Sequence, residues 1–112
     1  MQEYSKNIDV HEAHSLIQSK KVTLIDVREK EETDAAFIEG AQLAPLSDLV
    51  MAINACEIDK DKPVLFYCLK GGRSKQAGEF LAENLLRDVE ILNMVGGIKE
   101  WVEEGYPIVT PD

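Results

Sequence analysis

Cys68 is followed by Leu69, Lys70, Gly71, Gly72, Arg73 and Ser74, a run of residue types that can ionise a thiol and hold an anion. The thiolate is the reactive form of cysteine, and an ordinary thiol, with a pKa of about 8.5, is mostly protonated at neutral pH. Lowering that value needs positive potential. Lys70 and Arg73 bring two full charges close to the sulfur. Ser74 is expected to cap a helix, whose unpaired N–H groups and dipole point back at the loop. Gly71 and Gly72 carry no side chains, so the chain there can turn its amides inward around a sulfur or an anion. The competing reading is a buried structural cysteine with a glycine turn behind it. Such a turn has no need of two cations crowded beside the thiol.

The elements that position this loop can be read from the apolar pattern. VLFYC, opened by Pro63, is a continuous apolar run ending at Cys68, and VTLIDV over 22–27 is another. Both read as strands buried on two faces, as in parallel sheets. A third strand is expected over 89–92. Asp9 can cap a helix with Val10, Ala13, Leu16 and Ile17 on one face, and a short polar helix is expected over 28–36. Gly40 and Pro45 bracket an extended piece at 41–44, and Ser47 can cap a helix over 48–55. Ser74 opens a helix with Ala77, Phe80, Leu81 and Leu85 on one face. A last short helix carries Trp101 and stops at Gly105 and Pro107. Helices alternating with buried strands predict an α/β fold with a largely parallel sheet, where sites lie at the carboxyl ends of strands. Cys68 stands at such an end.

The bulk numbers agree with one domain over 1–112. The chain has 112 residues, 45% of them hydrophobic, and a net charge of −9. The acidic balance excludes nucleic acid as an expected partner, since phosphate binding needs a basic face. Screening over about 8–10 Å still lets the local basic loop outweigh distant acidic groups. No apolar stretch approaches the roughly 20 residues needed to span a bilayer. The N-terminal MQEYSKNIDVHEAH lacks the pattern of a signal peptide, so the cytoplasm is the expected compartment. The two cysteines, Cys56 and Cys68, are then expected to be reduced.

Three blocks make the chain resemble a single-domain rhodanese, a member of the rhodanese-like sulfurtransferase family. They are LIDVREKEETDAAFIEGA over 24–41, FYCLKGGRS over 66–74 and GGIKEWVEEGYPI over 96–108. The resemblance implies a three-layer α/β fold with a mostly parallel sheet flanked by helices, and a persulfide mechanism without a cofactor or metal. Cys68 would be the nucleophile. Amides from Leu69 to Ser74 would stabilise the persulfide, and Lys70 and Arg73 would hold an anionic donor such as thiosulfate. The acceptor would be cyanide or a thiol, including a thiol on a protein. Asp26 and Arg28, in the signature DVR, would brace loops near the site, with substrate contact by Arg28 as the alternative. Phe37 and Glu39 replace the histidine and proline usual in the first block, and both changes read as structural.

Other features are weighed against these. Cysteine phosphatases place arginine six positions after the cysteine and usually a histidine before it. Here Arg73 is five positions on and Tyr67 precedes Cys68, a tighter ring that suits sulfur better than a phosphoryl group. His11 and His14 are three apart rather than the four of a zinc peptidase helix, and a solvated helix face is the expected reading. Cys56 is expected to fill the core rather than resolve a persulfide. Trp101 is expected in the core, and the run Glu29, Lys30, Glu31, Glu32 on a solvated face. A second function class stays open: a rhodanese-like sulfur-relay or protein-binding module that turns over little by itself.

Overall fold

The computed structural model describes residues 5–111. The strands are β1 (Ser5–Ile8), β2 (Thr23–Asp26), β3 (Gln42–Leu43), β4 (Val64–Tyr67) and β5 (Ile91–Met94). They form one five-stranded sheet in the order β1-β5-β4-β2-β3, with every pairing parallel. The helices are α1 (Val10–Gln18), α2 (Lys30–Ala35), α3 (Leu49–Ala55), α4 (Gly72–Asn84) and α5 (Gly97–Glu103).

All four residues of β4 are buried, and their alternation divides the core in two. Val64, Phe66 and Cys68 pack with Leu49 and Ile53 of α3 and Ala77 and Leu81 of α4. Leu65 and Tyr67 pack on the other face with Val10 and Ala13 of α1 and Ile98 and Trp101 of α5. Helices therefore cover both faces, giving the expected three layers. Among the described residues no helix is long and apolar enough to cross a membrane.

This layering positions the loop. The chain leaves β4 towards α4 on one face and leaves β5 towards α5 on the other. Two adjacent strands whose connections part in this way open a crevice at their carboxyl ends. Cys68 directly follows β4 at that end, 1% exposed.

Several expectations change. β1 was not anticipated, because SKNI shows only Ser5 and Ile8 to the interior while Lys6 and Asn7 stay in water. β5 begins at Ile91, two residues beyond the expected start at 89, and includes the polar Asn93, which finds a buried partner in Ser74. Helix α4 starts at Gly72 with Gly71 as its N-cap, so Ser74 is not the cap but sits in the first turn. Ser74 and Gly78 join Ala77 and Leu81 on the buried face of α4, whereas Phe80 and Leu85 are exposed. Ser47 lies in a short 3-10 turn before α3 and does not cap it; its hydroxyl donates to Glu29. Asp9 caps α1 as expected, accepting from the Glu12 amide at 2.8 Å.

Candidate active site

The loop is built from both ends. At its start, the Cys68 and Leu69 carbonyls accept from the Ile98 and Lys99 amides, at 2.9 and 3.0 Å. These amides belong to the first turn of α5, so a helix that never touches the sulfur fixes where the loop leaves β4. Gly97 permits the approach. Its φ is +62°, and a Cβ there would run into the Leu69 carbonyl. At the far end Gly71 takes φ +105°, which turns its amide inward to head α4.

Cys68 Sγ accepts from the Gly71 amide at 3.1 Å and lies 3.5 Å from Ser74 Oγ. Burial pushes this thiol up. Hydrogen bonding by the Ser74 hydroxyl and by the amides of Ser74, Gly71 and Lys70 outweighs that cost and brings the thiol below its ordinary value. Of the two glycines, Gly71 turns its amide to the sulfur, whereas Gly72 is exposed as the first residue of α4.

The cations divide. Lys70 is exposed and makes no ion pair among the described residues. Arg73 is turned to Glu32 in a two-pronged pair, Nη1 to Oε1 at 2.7 Å and Nη2 to Oε2 at 2.9 Å. The same Glu32 Oε1 accepts from the Glu29 amide at 3.1 Å. Glu29 and Glu32 thus tie α2 to the loop and to Ser47, rather than lying on a simply solvated face.

Hydrogen bonds from Arg73 hold the Glu32 carboxyl at about 2, against an ordinary 4.5. A carboxyl depressed by folding adds stability above its unfolded value and loses it as pH falls towards the folded one. Glu32→Gln is therefore expected to cost about 0.5–1 kcal/mol at neutral pH, as suits a pair one-third exposed. It should also flatten the fall of stability between pH 4.5 and 2. Urea denaturation across that range checks both effects; an acid limb as steep as wild type would contradict the assignment.

Asp26 and Arg28 form a buried pair behind the loop. Asp26 accepts from the Arg28 amide at 2.9 Å, from Nη2 at 2.8 Å and from Thr33 Oγ1 at 3.1 Å. Arg28 Nη2 continues to the Ala36 carbonyl at 2.6 Å, and its guanidinium lies over the Tyr67 ring. Tyr67 in turn accepts from the Ile38 amide at 3.1 Å. With all these groups engaged and Arg28 only 4% exposed, the pair braces the segment from β2 to β3.

The remaining candidates lie elsewhere. His14 stacks on Tyr106 with centroids 4.1 Å apart, and His11 Nδ1 is 2.6 Å from the Tyr106 hydroxyl. Both histidines contact Tyr106 of the C-terminal segment; His11 stays exposed, as expected of a solvated helix face, while His14 is half-buried. No cluster of metal-ligating side chains occurs among the described residues. Cys56 is unbridged and packs against the core; burial raises its thiol. A cavity of about 500 Å³ lined by Lys20, Thr23, Glu57 and Lys62 contains none of the loop residues. Sequence reasoning missed Asn93, whose Oδ1 lies 2.6 Å from Ser74 Oγ. Its signal was an asparagine inside an otherwise apolar strand.

The structure is thus a parallel α/β sheet with a thiol at the carboxyl end of its central strand, held by the Gly71 amide of the loop that follows. The chain matches the family model of the rhodanese-like domain over residues 9–104 and belongs to that family. It is 35% identical over 97 residues to a sulfurtransferase of Allochromatium vinosum, covering 87% of each protein. It is 44% identical over 82 residues to the uncharacterized protein YqhL of Bacillus subtilis, covering 73% of this chain but only 62% of that relative. A rhodanese-related protein of Thermoplasma volcanium has the same fold, with a TM-score of 0.80 and 34% identity, covering 93% of this chain and 97% of that one. At the level of the family, the chemistry these matches support is sulfur transfer.

Proposed function

We propose that this chain is a single-domain sulfurtransferase that moves a sulfane sulfur from an anionic donor such as thiosulfate to a nucleophilic acceptor through a persulfide on Cys68. The observation that carries the proposal is the pair of donors at Cys68 Sγ, the Gly71 amide at 3.1 Å and Ser74 Oγ at 3.5 Å. The Cys68 thiolate attacks the outer sulfur of thiosulfate. The donor's S–S bond breaks, and sulfite leaves with its electron pair. Cys68 then carries a persulfide whose negative outer sulfur is held by the loop from Leu69 to Ser74. Cyanide or a thiolate attacks that sulfur, and the Cys68 thiolate leaves. Atoms and charge balance without a cofactor. The cytoplasm suits a chain whose two cysteines stay unbridged.

Arg73 contributes its field from its seat on Glu32, which leaves Lys70 to meet the anionic donor. Lys70→Ala is expected to lower kcat/KM for thiosulfate about ten-fold, equivalent to about 1.4 kcal/mol. Thiocyanate formation from thiosulfate and cyanide reads this directly. An unchanged kcat/KM would show that Lys70 does not meet the donor, and no turnover by wild type would remove thiosulfate as the donor.

A second reading keeps the persulfide and changes the acceptor. Leu69 and Val95 border the loop and expose 39% and 44% of their surfaces, an apolar rim suited to a protein carrying the accepting thiol. On that reading the chain is a sulfur-relay or binding module with little turnover on small molecules. Sulfur loaded from a protein persulfide, with no thiocyanate produced, would favour it.

A further inference from the structure

We propose that Asn93 is a positioning residue for Cys68, acting through the Ser74 hydroxyl and turning its side-chain amide to match the state of the sulfur. The proposal rests on Cys68 being the reactive thiol.

Asn93 is 3% exposed, in a strand whose other members are Ile91, Leu92 and Met94. Its Oδ1 is 2.6 Å from Ser74 Oγ and its Nδ2 is 3.1 Å from Asn7 Oδ1. Ser74 is fully buried. Three acceptors surround its hydroxyl: Asn93 Oδ1 at 2.6 Å, the Gly71 carbonyl at 3.2 Å and Cys68 Sγ at 3.5 Å. A hydroxyl has one hydrogen to give. At these distances Asn93 holds it.

That setting suits the protonated thiol, whose S–H can donate to the free lone pairs of Ser74 Oγ. Ionisation reverses the demand. The thiolate needs a donor, and the Ser74 hydrogen reaches it by rotation about the C–O bond alone. Asn93 Oδ1 would then lose its donor, and a buried acceptor left unpaired costs about 1–3 kcal/mol. A half-turn of the amide removes the cost: Nδ2 donates to Ser74 Oγ, and Oδ1 faces Asn7. The Asn7 side chain is exposed and free to turn with it. The chain Asn7–Asn93–Ser74–Cys68 thus has two fully bonded settings, one for each state of the sulfur. A side chain with donor and acceptor on one planar end can serve both, which gives an asparagine in this apolar strand a reason. Charged groups on the loop side, Lys70 and Arg73 with its partners Glu32 and Glu29, are common to both settings.

The test is the pH dependence of Cys68 alkylation by iodoacetamide, followed by mass on the Cys68 peptide so that Cys56 is separated. Asn93→Asp leaves only acceptors, holds the Ser74 hydrogen and deprives the thiolate. The midpoint is expected to rise, with alkylation at neutral pH about ten-fold slower, one unit of pKa. In a Ser74→Ala background the same substitution should leave the midpoint unmoved. A shift that persists without the Ser74 hydroxyl would reduce the effect to through-space charge and overturn the proposal; so would no shift in a folded Asn93→Asp protein. If that variant does not fold, wild type carries the test. The Asn93 side-chain amide resonances should move with the Cys68 midpoint and lose that dependence in Ser74→Ala; invariance in wild type overturns the proposal. Alkylation needs no turnover, so a wild type inactive towards thiosulfate would sink the donor assignment and leave this result standing apart.

Discussion

Cys68→Ser is expected to abolish sulfur transfer while leaving the fold in place. The substitution exchanges sulfur for oxygen at a position 1% exposed, where the Gly71 amide can still donate to the new side chain. Packing changes little, so the stability change should stay within about 1 kcal/mol. Chemistry changes completely, because a serine hydroxyl neither ionises near neutral pH nor forms a persulfide. Turnover should fall on the order of 10⁴-fold or more, as for removal of a nucleophile that works as part of a unit. Thiocyanate assays and thermal melts on the same preparation separate the two effects. Substantial residual activity in a folded Cys68→Ser protein would move the nucleophile elsewhere. Cys56 is a poor substitute, since burial raises its thiol and it packs against the core.

The second large effect is on stability. Asp26→Ala is expected to cost about 3–5 kcal/mol, because removing one partner of a buried pair leaves the other charge uncompensated. Burial works against the Arg28 charge, and Asp26 outweighs it, holding Arg28 above its ordinary value. Without Asp26, the Arg28 guanidinium keeps the Ala36 carbonyl and the Tyr67 face, neither of which neutralises it. The Arg28 amide and the Thr33 hydroxyl lose their acceptor at the same time. Against a typical total of about 5–15 kcal/mol for a domain, the loss is severe. Urea denaturation measures it; a cost below about 1 kcal/mol would mean that the pair contributes little to holding this segment.

Much of this architecture can be read from the chain before any coordinates. VTLIDV and VLFYC are apolar on both sides of each strand, a pattern that only a sheet covered by helices on both faces satisfies. The placement of Cys68 at a strand end follows from that. What resists reading has physical causes. β1 hides because an edge strand of four residues with Lys6 and Asn7 in water has no apolar run. The start of α4 hides because Gly71 caps it with backbone conformation alone, while Ser74, three residues on, offers a more familiar capping side chain. The loop's basic character is legible, but the division of labour between its cations is not. Arg73 meets Glu32 across 41 residues of sequence, and nothing local announces that contact. The Ser74–Asn93 bond, 19 residues apart, is equally non-local.

The central claim, a persulfide on Cys68, is tested most directly by intact mass. Protein incubated with thiosulfate, then freed of donor, is predicted to gain one sulfur atom on the Cys68 peptide. Cyanide should remove it with stoichiometric thiocyanate, and Cys68→Ser should gain none. A wild-type protein that produces thiocyanate yet carries no added sulfur, or carries it on Cys56, would contradict the mechanism.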